Sequence, residues 1–297
     1  ARRQGAALAA IEATASPSSP RSAPAKQLTY AELHDAGERL ARAIAGLASL
    51  EGNATVARTP KWVLATQMRR GVDWYCVFAA AARLQMPLIA LSTDLQDAAA
   101  ERARNEEIIE SHAPWLLVVD GSGTIPGAVS SAGCRVCHFE ELCGMQVVEG
   151  PMPGLVDFGE PGSLDAVLCF CYTGGTTRAS RCVRVTHRMA LHELATYPSV
   201  CGREVGPGDR VLQQHSVYWA AAAFGELELA LALGATAVFA PASGGAEGIV
   251  DVIREHNIAC AGLLPGSMAA IEPKRDVPSL RLVLSWGDRE VADGTEP

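Results

Sequence analysis

Short apolar runs of strand length alternate along this chain with helical stretches, and that alternation restricts the fold more than any other feature. The runs are "PLIAL", "WLLVVD", "DAVLCFCY", "RVLQQ", "TAVFA", "IACAGLL" and "LRLVLS". Continuous apolar runs of this length fit strands buried on both faces. Helical patterns fall between them at Asp73–Leu84, Ala98–Ser111, Ala222–Leu233 and Glu247–His256, with another after Thr186. Strands alternating with helices predict an α/β fold of parallel sheets flanked by helices. The 297 residues suffice for two subdomains. No internal repeat of fixed period is visible.

The ends of the pattern are set by composition. Residues 1–27 are rich in Ala, Ser, Pro and Arg, and "TASPSSPRSAPAKQ" reads as a flexible linker. Order is expected from Leu28, so the folded domain is 28–297. Thr29 stands three residues before Glu32, a capping-box pattern. Leu33, Ala36, Leu40, Ile44 and Leu47 follow at helical spacing, predicting a helix from Tyr30 to about Leu47. Residues 120–163 are Gly- and Pro-rich, and a subdomain break is expected near 150–163. "YWAAAAFGELELALALGATAVFAP" is long enough for a membrane span, but Glu226 and Glu228 sit near its middle, where ionised carboxylates are costly. It reads as a buried helix followed by a strand, with no membrane span.

A formal net charge of -8 argues against general nucleic-acid binding, which needs a basic footprint. Nine cysteines, an odd number in a long chain, several inside apolar runs, fit buried thiols in a reducing compartment. No targeting segment is visible, and the expected setting is cytoplasmic.

Against that acidic background, "CYTGGTTRASRCVRVTH" gathers paired glycines, four threonines and three arginines between Cys171 and His187. It follows a buried strand. Paired glycines permit positive φ and close backbone approach. Successive N–H groups in such a turn form an anion-binding nest. Thr173, Thr176 and Thr177 add hydroxyl donors, and Arg178 and Arg181 add charge suited to phosphate oxygens. Together with Gly174 and Gly175 these residues read as a polyphosphate cradle. A solvated Gly/Thr turn is the plain alternative for the loop taken alone. The stretch is neither a Gly-Lys-Ser/Thr phosphate loop nor a G-x-G-x-x-G fingerprint.

The loop resembles that of the adenylate-forming (AMP-binding) superfamily: acyl-CoA synthetases, adenylation domains of nonribosomal peptide synthetases, and luciferases. That family carries Tyr-Thr-Ser-Gly-Thr-Thr-Gly-x-Pro-Lys-Gly-Val with Thr-His shortly after. Here the same register holds Tyr172, Thr173, Gly174, Gly175, Thr176, Thr177, Arg178, Ala179, Ser180, Arg181, Cys182 and Val183, then Thr186 and His187. "LTYAELHDAGERLARAIAGL", "WYCVFAAAARLQMPLIALSTDL", "DRVLQQHSVYW", "ELALALGATAVFAP" and "LRLVLSWGDREV" resemble further family segments, in the family's order from Leu28 to Val291. The resemblance implies the two-subdomain N-terminal part of such an enzyme, most like a peptide-synthetase domain. It implies ATP with Mg²⁺ held through the phosphates, a small carboxylic acid, and an acyl-adenylate passed to the thiol of CoA or of a carrier protein's phosphopantetheine. An acyl-CoA synthetase and a degenerate, non-catalytic binding domain are the alternatives.

The departures matter. Arg178, Ser180 and Cys182 replace Gly, Pro and Gly, while Arg181 keeps the charge of the usual Lys. If φ is positive at Arg178 the strain is about 1 kcal/mol. The Asp that pairs with an α-ammonium in amino-acid-activating domains falls at Ala220 or Ala221, beside Trp219, so no carboxylate stands there. Glu226 is the nearest substitute. Trp286, Gly287 and Asp288 stand where the family has Gly-Gly-Glu, making Trp286 and Gly287 further pocket candidates. The family's Mg²⁺-contacting, ribose-holding and catalytic-Lys motifs have no match, so these 297 residues are expected to be inactive alone, with no catalytic residue assigned.

"CRVCH" at Cys134–His138, with Cys143 nearby, matches a haem-attachment pattern and offers zinc-ligand types. Four ligands within ten residues leave no second knuckle, and the match reads as incidental. His215, His187 and Cys171 lack any nucleophile-elbow motif, and His187 reads as packing beside the loop.

Overall fold

The computed structural model describes residues 5–13, 25–50, 62–95, 97–147, 163–172, 181–241, 245–269 and 277–285. In chain order they form β1 (Leu8–Glu12), β2 (Gln27–Thr29), α1 (Tyr30–Leu50), β3 (Leu64–Gln67), α2 (Val72–Leu84), β4 (Leu88–Ala90), α3 (Ala98–His112), β5 (Leu116–Val119), α4 (Ala128–Ser131), β6 (Arg135–His138) and α5 (Phe139–Gly144). Then come β7 (Val167–Tyr172), β8 (Cys182–Thr186), α6 (His187–Cys201), β9 (Arg210–Gln213), a π-helix (Ala221–Glu228), α7 (Leu229–Leu233), β10 (Thr236–Phe239), α8 (Gly245–His256), β11 (Cys260–Leu263), α9 (Pro265–Ala269) and β12 (Leu282–Ser285).

Two compact units result. The first comprises Ala1–Ala6, Thr29–His192 and Ser216–Ala220, and the second Ala7–Leu28, Glu193–His215 and Ala221–Pro297. The expected break near 150–163 lies largely outside the described residues, and the division instead falls inside α6, between His192 and Glu193.

The first unit holds a sheet of order β6-β5-β3-β4-β7-β8. β3, β4, β5, β6 and β7 pair in parallel, and β8 closes antiparallel on β7. Leu64, Ala65, Ile89, Leu116, Leu117 and Val118 are buried, as continuous apolar runs require when both faces are covered. α1 begins at its predicted cap: Thr29 N donates to Glu32 Oε2 at 2.8 Å, and Glu32 N donates to Thr29 Oγ1 at 3.2 Å.

The second unit holds a sheet of order β12-β11-β9-β10-β1-β2. β12, β11, β9, β10 and β1 pair in parallel. β1 corrects the reading of residues 1–27 as a linker. Ala9, Ala10 and Ile11 are buried, and Ala10 and Ile11 stand opposite Ala237 and Val238 of β10. "LAAIE" is a short apolar run whose signal is diluted by the Ser/Pro-rich residues after it.

The helix expected over Ala222–Leu233 starts as a π-helix and tightens to α only at Leu229. Among the described residues no helix is long and apolar enough to cross a membrane.

Candidate functional site

The glycine–threonine loop springs from a hairpin. β7 and β8 run antiparallel with Tyr172 opposite Cys182 and Cys171 opposite Val183. The sequence reading missed β8, although Val183 and Val185 alternate with Cys182, Arg184 and Thr186 at the period of a strand. Thr173, Gly174, Gly175, Thr176, Thr177 and Arg178 lie outside the described residues. Arg181 is described and exposed, at the foot of β8.

Tyr172, the last residue before the loop, is held on several sides. Its backbone pairs with Cys182 on one edge and forms a parallel bridge with Trp219 on the other. Its amide donates to Tyr218 O at 3.4 Å. Its hydroxyl lies 3.0 Å from His112 Nε2, and its ring stacks on Tyr218 with centroids 5.5 Å apart at 9°. Arg104 sits over the Tyr218 ring at 4.9 Å. Cys182 Sγ lies 3.7 Å from His112 Nε2. Burial lowers the His112 pKa, favouring neutral imidazole, and raises those of Tyr172 and Cys182, keeping both protonated. His187 is buried at the start of α6, where its amide donates to Ala166 O at 3.1 Å.

Of the pocket candidates, Trp219 is half-buried and Ala220 exposed, both in the first unit, and Ala221 is half-buried in the second. Ala222 and Ala223, which continue the small-residue run, are buried. Trp286 and Gly287 lie outside the described residues, after Ser285 at the carboxyl end of β12.

The second unit holds a polar cluster that sequence reasoning did not assemble. β9 connects to β10 on one side, while β11 and β12 follow on the other, so the winding reverses between β9 and β11. Open α/β sheets bind ligands outside the carboxyl ends of their strands at such a point. The β9–β11 pairing is Cys260 with Val211 and Ala261 with Leu212. Beyond it, Gln214 Nε2 donates to Gly262 O and bridges the two strands. Glu226, with 0% exposure, accepts at Oε2 from Gln213 Nε2 (3.1 Å), Gln214 N (3.3 Å) and His215 N (3.3 Å). Its Oε1 lies 2.6 Å from His215 Nδ1. Burial pushes the Glu226 carboxyl above the usual carboxylate range, and His215 and the amide donors pull it back. The π-helix has its own anchor, since Tyr197 OH lies 2.8 Å from Phe224 O. A Glu inside an apolar run, eleven residues after a His at a strand end, was the available signal. Both oxygens of Glu226 are thus engaged by groups of its own unit.

The Cys/His motif at 134–138 takes strand geometry. Cys137 is buried and His138 exposed on successive positions of β6, so they point to opposite faces. Burial pushes the Cys134 and Cys137 thiols up to about 11. Among the described residues no group of three or more His, Cys, Asp or Glu could hold a metal ion.

The fold has close counterparts among solved structures. The Bacillus subtilis o-succinylbenzoate CoA synthetase in complex with ATP and magnesium ion superposes with a TM-score of 0.72 at 18% identity, over 95% of this chain and 52% of that one. The Klebsiella oxytoca NpsA N-terminal subdomain in complex with 3-hydroxybenzoyl-AMSN gives 0.72 at 19% identity, over 97% and 64%. A hybrid PKS-NRPS synthetase of Gloeophyllum trabeum is 31% identical over 119 residues, 39% of this chain and 8% of its own length. The chain thus spans about half of the synthetase structure and a small part of the curated relative. The family model described as AMP-binding enzyme matches residues 2–292, almost the whole length, and the chain belongs to the AMP-binding enzyme family.

Proposed function

We propose that this chain binds Mg-ATP and a small carboxylic acid lacking an α-ammonium, and aligns them for acyl-adenylate formation. A carboxylate oxygen attacks the α-phosphorus, the bond from that phosphorus to the bridging oxygen breaks, and pyrophosphate leaves. The protein's part is positioning and charge stabilisation. Thr173, Gly174, Gly175, Thr176, Thr177, Arg178 and Arg181 are assigned to the phosphates. Mg²⁺ would arrive on the phosphates.

The observation that carries the reading is the bridge between Tyr172 and Trp219. It sets the segment assigned to the acid one strand spacing, about 4.8 Å, from the stem of the loop assigned to ATP. Trp219, Ala220 and Ala221 offer a ring and methyl groups and no carboxylate, and Trp286 and Gly287 are assigned to the same pocket. An ammonium buried there would lose hydration without a counter-charge, at a cost of several kcal/mol, roughly. Aryl, fatty, hydroxy or keto acids avoid that cost. The acyl ligands named for the structural neighbours, OSB-AMP in the o-succinylbenzoate CoA synthetase and 3-hydroxybenzoyl-AMSN in NpsA, support the same class. CoA or a carrier protein's phosphopantetheine is the proposed thiol acceptor.

Arg181 gives the test. Arg181→Ala removes one charge-assisted phosphate contact, worth about 1.5–3 kcal/mol, so calorimetry should show pyrophosphate or Mg-ATP binding weakened tenfold or more. Unchanged affinity would place Arg181 away from the phosphates and sink the cradle.

A further inference from the structure

Tyr218 is 2% exposed, yet it belongs to a five-residue piece, Ser216–Ala220, that leaves the second unit's run of chain to pack in the first. What it packs on is the stem of the glycine–threonine loop. The ring lies parallel to that of Tyr172, the backbone oxygen takes the Tyr172 amide, and the next residue, Trp219, extends the ladder beside Tyr172. α3 braces both tyrosines. Arg104 lies over the Tyr218 ring, and His112, about two turns further on, meets the Tyr172 hydroxyl. Opposite, Cys182 at the far end of the loop pairs with Tyr172.

Among the described residues, the segment meets the loop stem through a stacked ring pair, a backbone hydrogen bond and a backbone bridge. A stacked aromatic pair adds directional attraction to its buried area, and a guanidinium over the ring adds a cation–π contact. Neither is needed merely to fill core, where an aliphatic side chain serves as well.

We propose that Tyr218 is a positioning residue that ties the acid-pocket segment Ser216–Ala220 to the stem of the phosphate loop and sets how firmly that stem is ordered. By linkage, whatever holds one end of the tie favours the ordered form of the other. That the stem serves a phosphate loop rests on the adenylation reading; the tie itself does not.

Amide hydrogen exchange on the 297-residue chain tests it without any nucleotide. Tyr218→Leu keeps apolar bulk and removes the stack. Exchange at Tyr172 and across Cys182–Thr186 should accelerate about tenfold or more, while β3 and β5 in the same unit and β9 and β10 in the other keep their rates. Tyr218→Phe retains the ring and should restore protection to within about twofold of the parent. Should Tyr218→Leu unfold the unit, Arg104→Met, which removes the cation from the ring, should give the same local pattern at smaller size. Stem exchange equal to the parent's overturns the proposal. So does acceleration spread evenly over β3, β4 and β5, which would make Tyr218 ordinary core. A failure of Mg-ATP to bind, with the local pattern present, would count against adenylation and leave the tie standing.

Discussion

The sheets of the two units, β6-β5-β3-β4-β7-β8 and β12-β11-β9-β10-β1-β2, place their successive strands alike. In each, one strand is central (β3 or β9), the next in sequence lies on one side (β4 or β10), and the following two lie on the other (β5 and β6, or β11 and β12). Each of these central strands also ends in a buried glutamine, Gln67 or Gln213, whose Oε1 has no hydrogen-bond partner among the described residues. There the likeness stops. Gln67 Nε2 donates to a backbone oxygen, that of Thr124, at 2.9 Å. Gln213 Nε2 donates to His215 O at 2.6 Å and to the carboxylate of Glu226 at 3.1 Å. At Gln67 the first unit uses a neutral backbone acceptor, and just beyond its strand ends stand the ion pairs Arg69–Asp120 and Arg70–Asp94. The second unit buries a carboxylate and spends several donors to keep it. A cluster rich in titratable groups can thus be the more structural of two sites, because its donors and acceptors are already used on one another.

The largest expected effect follows from that difference. Glu226→Ala would leave Gln213 Nε2 and two backbone amides without their acceptor in a fully buried place. Removing one partner of a buried charged network costs about 3–5 kcal/mol, which urea unfolding of the chain would read directly. A loss below about 1 kcal/mol, the size of a single ordinary hydrogen bond, would mean the cluster is dispensable and the contrast between units is false.

A smaller step compares the two glutamines. Gln213→Leu breaks two hydrogen bonds, one to a carboxylate, and should cost about 2–3 kcal/mol, against about 1 kcal/mol for Gln67→Leu. Equal losses in urea midpoint would show that the two strand ends are finished alike after all.

The smallest expected effect is on pH dependence. Burial lowers the pKa of His112, His187 and His256 below the ordinary 6.5. Below pH 6.5 the unfolded chain therefore takes up protons that the folded chain refuses, so stability falls as pH drops through that window. His112→Gln keeps a donor for the Tyr172 hydroxyl and removes one such group. The difference in unfolding free energy between pH 7.5 and pH 5.5 should shrink in the variant by less than about 1 kcal/mol. An unchanged difference would mean His112 titrates alike folded and unfolded.

Most of the layered architecture was legible because buried parallel strands announce themselves as continuous apolar runs. "WLLVVD" and "TAVFA" could hardly be anything else once helical patterns flanked them. β8 escaped because its alternation is carried by two valines inside a stretch whose composition spoke of a ligand loop. β1 escaped because five residues were averaged with a Ser/Pro-rich neighbourhood. The π-helix was invisible because its cause is tertiary: Tyr197 reaches Phe224 O, and the strand-end donors reach Glu226. For the candidate site, the phosphate-loop reading rests on residue types alone. The stem was not legible, since Arg104, His112, Tyr172 and Tyr218 are far apart in sequence and meet only through the fold.

On the proposed function, this chain holds an acid without an ammonium next to ATP phosphates. Calorimetric titration of the chain with two non-hydrolysable acyl-sulfamoyl adenosines, one carrying an aryl acid and one an α-amino acid of similar size, tests it without requiring turnover. The aryl compound should bind about a hundredfold more tightly or better, because the ammonium finds no carboxylate beside Trp219, Ala220 and Ala221, and each 1.4 kcal/mol of that penalty is about tenfold in affinity. Tighter binding of the aminoacyl compound, or no binding of either, would contradict it.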